Sequence, residues 1–247
     1  MRIRPSAALE ERIIELIHER DLAPGTAMPT EPQLMELLGA SRNSVREAIR
    51  ALQALGIVDI RHGYGTFVGQ ASLNALTASL VFRVRSRAGQ RIRAIHDLVE
   101  IRELIETGLI GDVAKGRTSD ARLAALEALV TAMAHDLGAD RAFHALLYEG
   151  CGNELVLQLI GLFWDTYHDV EHILGEPADR TEEILANHRL IVSALRDRDP
   201  DAARDAMRLH FRDVRNRIAR AESEAAASAA AEPAPTVGAA ADSPEAS

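Results

Sequence analysis

From Arg91 to Glu222 the apolar residues return every three or four positions, and no convincing strand interrupts them. A chain that commits more than half of its 247 residues to this pattern must bury them helix against helix. The fold class is therefore mainly α, with an antiparallel bundle of six or seven helices over residues 91–222. Gly138-Ala139, Gly150–Asn153, Gly175–Pro177 and Asp199-Pro200 are the expected breaks. With 47% hydrophobic residues there is ample material for a core. No apolar run approaches the roughly 20 residues of a membrane span, and no secretory pattern opens the chain. Cys151 is the single cysteine, so no internal disulfide forms and a reducing cytoplasm is the expected location.

The first 70 residues read differently. Leu9, Ile13, Leu16 and Ile17 mark a helix over Ser6–Asp21, broken by Pro24-Gly25. Thr30-Glu31-Pro32-Gln33 forms a capping box for a short second helix that ends at Gly39. Ser41 caps a third helix running to about Leu55 and closed by Gly56. Ile57–Ile60 and Thr66–Val68 are β-prone runs joined by Arg61-His62-Gly63-Tyr64-Gly65, a hairpin. On the third helix Val45, Ala48, Ile49, Leu52 and Leu55 form a core stripe. Arg42, Asn43, Arg46 and Arg50 occupy the opposed face, where guanidinium forks and an amide match base edges and phosphates. The net charge of −9 requires any DNA contact to be local, and 42–61 supplies such a patch, with Arg61 added from the hairpin. Three arginines on one helix also describe an ordinary solvated face. The short preceding helix and the following hairpin favour a winged helix-turn-helix, with the hairpin as a wing against phosphate or minor groove.

These residues resemble a known family. Pro24-Gly25, Pro29-Thr30-Glu31, Gly39-Ala40-Ser41-Arg42, Val45-Arg46-Glu47-Ala48, Leu55-Gly56 and His62-Gly63-Tyr64-Gly65-Thr66-Phe67-Val68 look like the GntR-type winged-helix signature in order and spacing, over nearly all of 8–69. The resemblance implies DNA contacts from Ser41, Arg42, Asn43 and Arg46, and from His62 and Gly63 of the wing. It also marks a departure: Pro32 stands where family members usually carry a contacting arginine.

In the helical part, polar groups fall on core-facing stripes. Leu137, Asp140, His144, Leu147 and Cys151 share a face; so do Ile184, His188, Ile191, Val192 and Leu195, and Met207, His210, Phe211, Val214 and Ile218. Asp140, His144, His188 and His210 thus become candidate ligands for a divalent metal, since a buried carboxylate is costly unless paired or metal-bound. Their donor types suit zinc first, with nickel or manganese as alternatives. Spacing alone leaves open whether they are ordinary core residues, which is how His18, His96, His135, His168 and His172 are read. Trp164, Phe163 and Tyr167 are read as core or dimer interface. Arg102 shares a stripe with Leu98, Ile105 and Leu109, either at its edge or paired with Asp140 or Glu106.

Residues 91–220 resemble the FCD effector domain, the all-helical half of FadR-type GntR regulators, through Asp140-Arg141-Ala142-Phe143-His144-Ala145-Leu146-Leu147, Gly152-Asn153, His188 and His210. The resemblance implies that Asp140, His144, His188 and His210 hold the metal and that Arg102 clamps an anion beside it. Asn153 either orients a ligand or caps its loop. The chain is then expected to divide into a DNA-binding domain (1–70), a linker (71–90), an effector and dimerisation domain (91–222) and a disordered tail (223–247). Its expected function is effector-controlled binding of a homodimer to a near-palindromic double-stranded operator, the effector being a small organic acid. A metal-sensing regulator and a metal-dependent enzyme are the rival readings.

Overall fold

The computed structural model describes residues 5–86, 89–136, 138–175 and 181–231. It opens with α1 (Pro5–Glu19), α2 (Glu31–Leu38) and α3 (Arg42–Ala54). Leu9, Ile13, Leu16 and Ile17 of α1 share one core with Leu34, Val45, Ala48, Ile49 and Leu52. At the start of α2 the Thr30 N–H and hydroxyl both donate to Gln33 Oε1, at 2.9 and 3.0 Å. Gly39 closes it at φ 58°, a conformation that favours glycine. Ser41 Oγ then accepts from Ser44 N at 3.2 Å and starts α3. Leu55 departs from the expected stripe and is 53% exposed. It lies at the C-cap of α3, where the helix that would have aimed it inward has ended.

Strands β1 (Val58–Arg61) and β2 (Gly65–Val68) pair antiparallel from Val58 opposite Val68 to Arg61 opposite Gly65. The first is shifted by one residue from the run read in the sequence, and the second begins one residue earlier and ends as expected at Val68. Gly63 at φ 82° makes the turn, which Tyr64 N closes by donating to Arg61 O at 2.9 Å. The loop before α2 flanks β2: Met28 N donates to Thr66 O, and Val68 N to Thr26 O, both at 2.8 Å. Val58, Val68 and Met28 then anchor the hairpin in the core under α3.

A 3-10 turn (Leu73–Leu76) and α4 (Thr77–Ser86) follow. This segment is no loose tether. Val84 is buried in the core of the helical part, and Leu73 N donates to Gln158 Oε1 at 3.2 Å. Six helices complete the described chain: α5 (Arg91–Lys115), α6 (Asp120–Ala132), α7 (Gly138–Tyr148), α8 (Glu154–Val170), α9 (Thr181–Asp197) and α10 (Pro200–Ala231). α5 packs along α10 and α8, α9 against α10 and α6, and α6 on α7.

Three boundaries differ from the sequence reading. An unanticipated break separates α5 from α6, where Gly116 N caps back to Val113 O and Ser119 Oγ accepts from Arg122 N. Gly138 starts α7 instead of interrupting it, its N–H held by Asp136 Oδ1 at 2.8 Å. α10 continues beyond Glu222 to Ala231, because alanines extend an existing helix without a new nucleus. Residues 232–247 of the expected disordered tail, Leu137, and residues 176–177 of the expected break lie outside the described residues. Among those described, no helix is long and apolar enough to cross a membrane.

Two glycines test the packing. A Cβ on Gly69 would lie 2.1 Å from the Gly56 carbonyl oxygen, whereas one on Gly111 would meet the end of the flexible Arg204 side chain. Gly69→Ala should therefore destabilise the chain by about 1–3 kcal/mol and Gly111→Ala by clearly less, as read by chemical denaturation.

Candidate functional site

The face of α3 opposite its core carries Arg42, Asn43, Arg46 and Arg50, all exposed. Arg46 lies 3.8 Å from Glu31, and Arg50 is paired with Glu47 at 3.1 Å. Exposed pairs of this kind contribute at most about 1 kcal/mol, so a phosphate can displace the carboxylate. Pro32 sits in the first turn of α2 and offers no charge there. On the hairpin, Arg61 Nε donates to Asp59 Oδ2 at 2.9 Å, with its guanidinium 4.2 Å from the Phe67 ring centroid. His62 and Gly63 form the exposed tip, and Tyr64 projects beside them. Ser41 serves first as the cap of α3.

Deep in the helical part, α5, α7, α9 and α10 bring together the polar residues singled out in the sequence. The ligating atoms of His144, His188 and His210 all lie within 4.8 Å of one another. Asp140 is one turn before His144 on α7, and its Oδ1 lies 2.9 Å from His188 Nε2 and 3.5 Å from His144 Nε2. Its Oδ2 accepts from Trp164 Nε1 at 2.9 Å, which fixes the carboxylate plane.

The imidazole tautomers follow from their other partners. His188 Nδ1 lies 2.8 Å from the Ile184 carbonyl, which can only accept, so this nitrogen carries the proton. His144 Nδ1 lies 2.5 Å from Glu106 Oε2 and donates to that carboxylate. In each ring the remaining nitrogen, Nε2, therefore faces Asp140 Oδ1, at 2.9 Å for His188 and 3.5 Å for His144. His144 Nε2 is buried without a hydrogen-bond partner. Three electron-rich atoms facing one point require a cation or an added proton between them. Burial, with His188 and His144 beside it, holds His210 well below the usual histidine range, in the neutral form that binds metals. Burial alone would push Asp140 up, yet the adjoining His144 and His188 hold it well below the carboxylate range. The donor set fits a divalent ion: Asp140, His144, His188 and His210 would hold it, and the ion would supply an electrophilic anchor for an anionic ligand.

Glu106 is the residue that sequence reading passed over, except as one of two partners for Arg102. It has no exposed surface, and its Oε1 accepts from Arg102 Nε at 2.5 Å while Oε2 holds His144. Burial opposes its charge, but Arg102 and then His144 outweigh that and hold its pKa at about 2. The available signal was its spacing of four from Arg102, which puts both on one face of α5. Arg102 is buried, with NH2 unpartnered, and it lines a cavity of about 160 Å³ together with Asp140, His188 and His210. Asn187 and Arg217, also missed, line the same cavity, as does Tyr167. Trp164, read as core or interface, is buried and in addition orients Asp140. Asn153 does not line it. Its Oδ1 accepts from Val156 N at 3.3 Å and caps α8, so its candidacy as a ligand contact is replaced by the capping alternative.

Residues 5–68 match the family model of bacterial regulatory proteins, gntR family, and residues 97–213 match the FCD domain. A GntR structure from Streptococcus agalactiae is 30% identical, with a TM-score of 0.60, over 85% of this chain and 99% of that one. The chain belongs to the GntR family. It is similar to the HTH-type transcriptional regulator LutR of Bacillus subtilis, 28% identical over 81% of this chain and 94% of LutR. It is also similar to the HTH-type transcriptional repressor NanR of Cronobacter sakazakii, 27% identical over 85% and 83%. The regulator is thus a DNA-binding transcription regulator of the FCD type, and the enzyme reading is set aside.

Because Glu106 is the acid that pairs with buried Arg102, Glu106→Ala should leave an uncompensated guanidinium. The expected loss is about 3–5 kcal/mol of unfolding free energy, measured by urea denaturation.

Proposed function

We propose that the regulator binds its operator as a homodimer and that a small organic acid controls this binding from a metal site formed by Asp140, His144, His188 and His210. The observation that carries the reading is the junction of three features in one cavity. Two imidazole Nε2 atoms converge on Asp140 Oδ1, and beside them Arg102 presents a buried NH2 with no partner among the described residues. A divalent ion bound by three imidazoles and one carboxylate keeps a net positive charge and open positions. A ligand carboxylate then bridges ion and guanidinium through charge-assisted hydrogen bonds. Zinc suits the donors best, with nickel or manganese as alternatives.

The link to DNA runs through α8. Its Trp164 holds Asp140, its Gln158 accepts from Leu73 N, and the Asp169 carbonyl accepts from Arg85 at 2.9 Å. A ligand that shifts Asp140 therefore acts on the helix to which the connector of the DNA reader is bonded. An effector changes affinity only if it favours one placement of the two readers over another. In the dimer, two α3 helices face successive major-groove half-sites of a near-palindrome, with Arg42, Asn43, Arg46 and Arg50 toward bases and phosphates and Ser41, Arg61, His62 and Gly63 at the backbone. Exposed Phe82, Ile101 and Leu104 supply apolar surface for subunit pairing.

Arg42→Ala and Arg46→Ala should each weaken operator binding by about 1–3 kcal/mol in a fluorescence-anisotropy titration. Unchanged binding by the Arg46 variant would remove α3 as the reading helix.

Purified regulator should carry about one divalent ion per chain by elemental analysis. His188→Ala and His210→Ala should each lose it, and His135→Ala should keep it. Arg102→Ala should retain metal and operator binding but lose the response to organic acids. Metal retained after loss of both His188 and His210 would refute the site.

A further inference from the structure

The tip of the hairpin carries a side chain that the rest of the molecule does not use. Tyr64 is 85% exposed, the highest value among the large apolar side chains described. Its N–H donates to Arg61 O, so the backbone beneath the ring is fixed. Neither its ring nor its hydroxyl has a partner among the described residues. Gly63 and Gly65 flank it, and a Cβ on either would meet nothing within 4 Å. The ring therefore stands alone on a slim turn, with bare backbone on both sides. The hairpin's arginine is engaged elsewhere: Arg61 is drawn back to Asp59 and lies over the Phe67 ring. The hairpin is anchored through Val58 and Val68, so folding gains little from a tyrosine in this position.

Three kinds of DNA surface lie within a wing's reach when α3 occupies the major groove. A phosphate is met by a cation or a small polar group and does not call for an aromatic ring. The major groove, about 12 Å wide, is filled by the helix. The minor groove is about 6 Å wide, and a glycine-flanked turn with one projecting ring is slim enough to enter it. On its floor an A·T pair presents only the acceptors adenine N3 and thymine O2, to which the Tyr64 hydroxyl can donate. A G·C pair adds the guanine N2 amino group, which projects from the floor and holds a ring out. We propose that Tyr64 seats its ring edge-on in the minor groove beside each half-site and selects A·T over G·C at a base pair that α3 does not read. The residue thereby adds to the operator a specificity that the arginines of α3 do not supply. The inference rests on the placement of α3 in the major groove, which the Arg46 variant tests by itself.

The test is a fluorescence-anisotropy titration of the full-length regulator with an operator selected from random duplexes. Each A·T pair of that operator is replaced in turn by G·C and by inosine·cytosine, which keeps the major-groove edge of G·C but lacks the minor-groove amino group. At a pair beside each half-site, G·C should weaken binding at least about fivefold, the lower end for one mismatched pair. Inosine·cytosine at the same pair should bind as tightly as A·T. Tyr64→Ala, with an unchanged melting temperature, should bind all three equally there and keep its discrimination at the pairs under α3. Tyr64→Phe should keep the preference at a severalfold lower affinity, because the ring still meets the amino group while the hydroxyl bond is lost. Inosine·cytosine as weak as G·C at every sensitive pair overturns the inference, since it marks major-groove reading throughout. A minor-groove preference that Tyr64→Ala leaves intact overturns it too, and assigns that preference to another part of the wing.

Discussion

Glu106 sits between a guanidinium and an imidazole with no exposed surface, and the interior of the helical domain is organised around it. A carboxylate in that position is tolerable only when both oxygens are held. Arg102 holds one and His144 the other, while the Tyr148 hydroxyl donates to the Glu106 carbonyl at 3.2 Å. α5 and α7 are thereby locked in register. The consequence reaches the cavity. With its Nδ1–H committed to Glu106, His144 can offer only Nε2 to its neighbours, and with Nε committed, Arg102 offers the rest of its fork. One buried acid sets both the tautomer that faces the proposed metal position and the orientation of the cation beside it.

Local chemistry was the most legible part of the sequence. Capping at Thr30 and Ser41, glycine at the tight turns of 39 and 63, and the opposed faces of α3 are decided within a few residues, and the structure agrees with them. The convergence of Asp140, His144, His188 and His210 was legible as four positions on core stripes, because helical spacing determines which side chains point inward. What spacing does not encode is the partner. Beyond its spacing of four from Arg102, the pattern does not distinguish Glu106 from a solvated acid, since its burial is set by α7 and α10 closing over it. Trp164, Asn187 and Arg217 owe their positions to packing across α8, α9 and α10. Asn153 lies near the ligands in sequence, but it is taken up by capping α8. The break at Gly116–Ser119 carried a usable signal in its glycine and serine cap, which the continuous apolar periodicity on either side concealed.

The connector gives the proposed coupling of the two domains a short path. The segment after the wing is bonded to α8 at Gln158 and at the Asp169 carbonyl and contributes Val84 to the helical core, so it belongs structurally to the helical domain. The same helix carries Trp164, whose indole holds the carboxylate at the centre of the ligand set. Small displacements at Asp140 and the direction of the chain leaving the DNA reader are therefore borne by one rigid element. Rigid packing of this kind favours discrete alternatives over continuous adjustment.

The central claim is that an organic acid, acting through the metal, sets the affinity for DNA. It is tested most directly by titrating an operator selected from random duplexes with metal-loaded and chelator-stripped regulator, each with and without a panel of small hydroxy, sugar and dicarboxylic acids. The account predicts that the acid changes operator affinity in the metal-loaded protein alone, and that adding metal without acid changes it little. An equal acid response after the metal is stripped, or an affinity that follows metal concentration with no acid present, would contradict it.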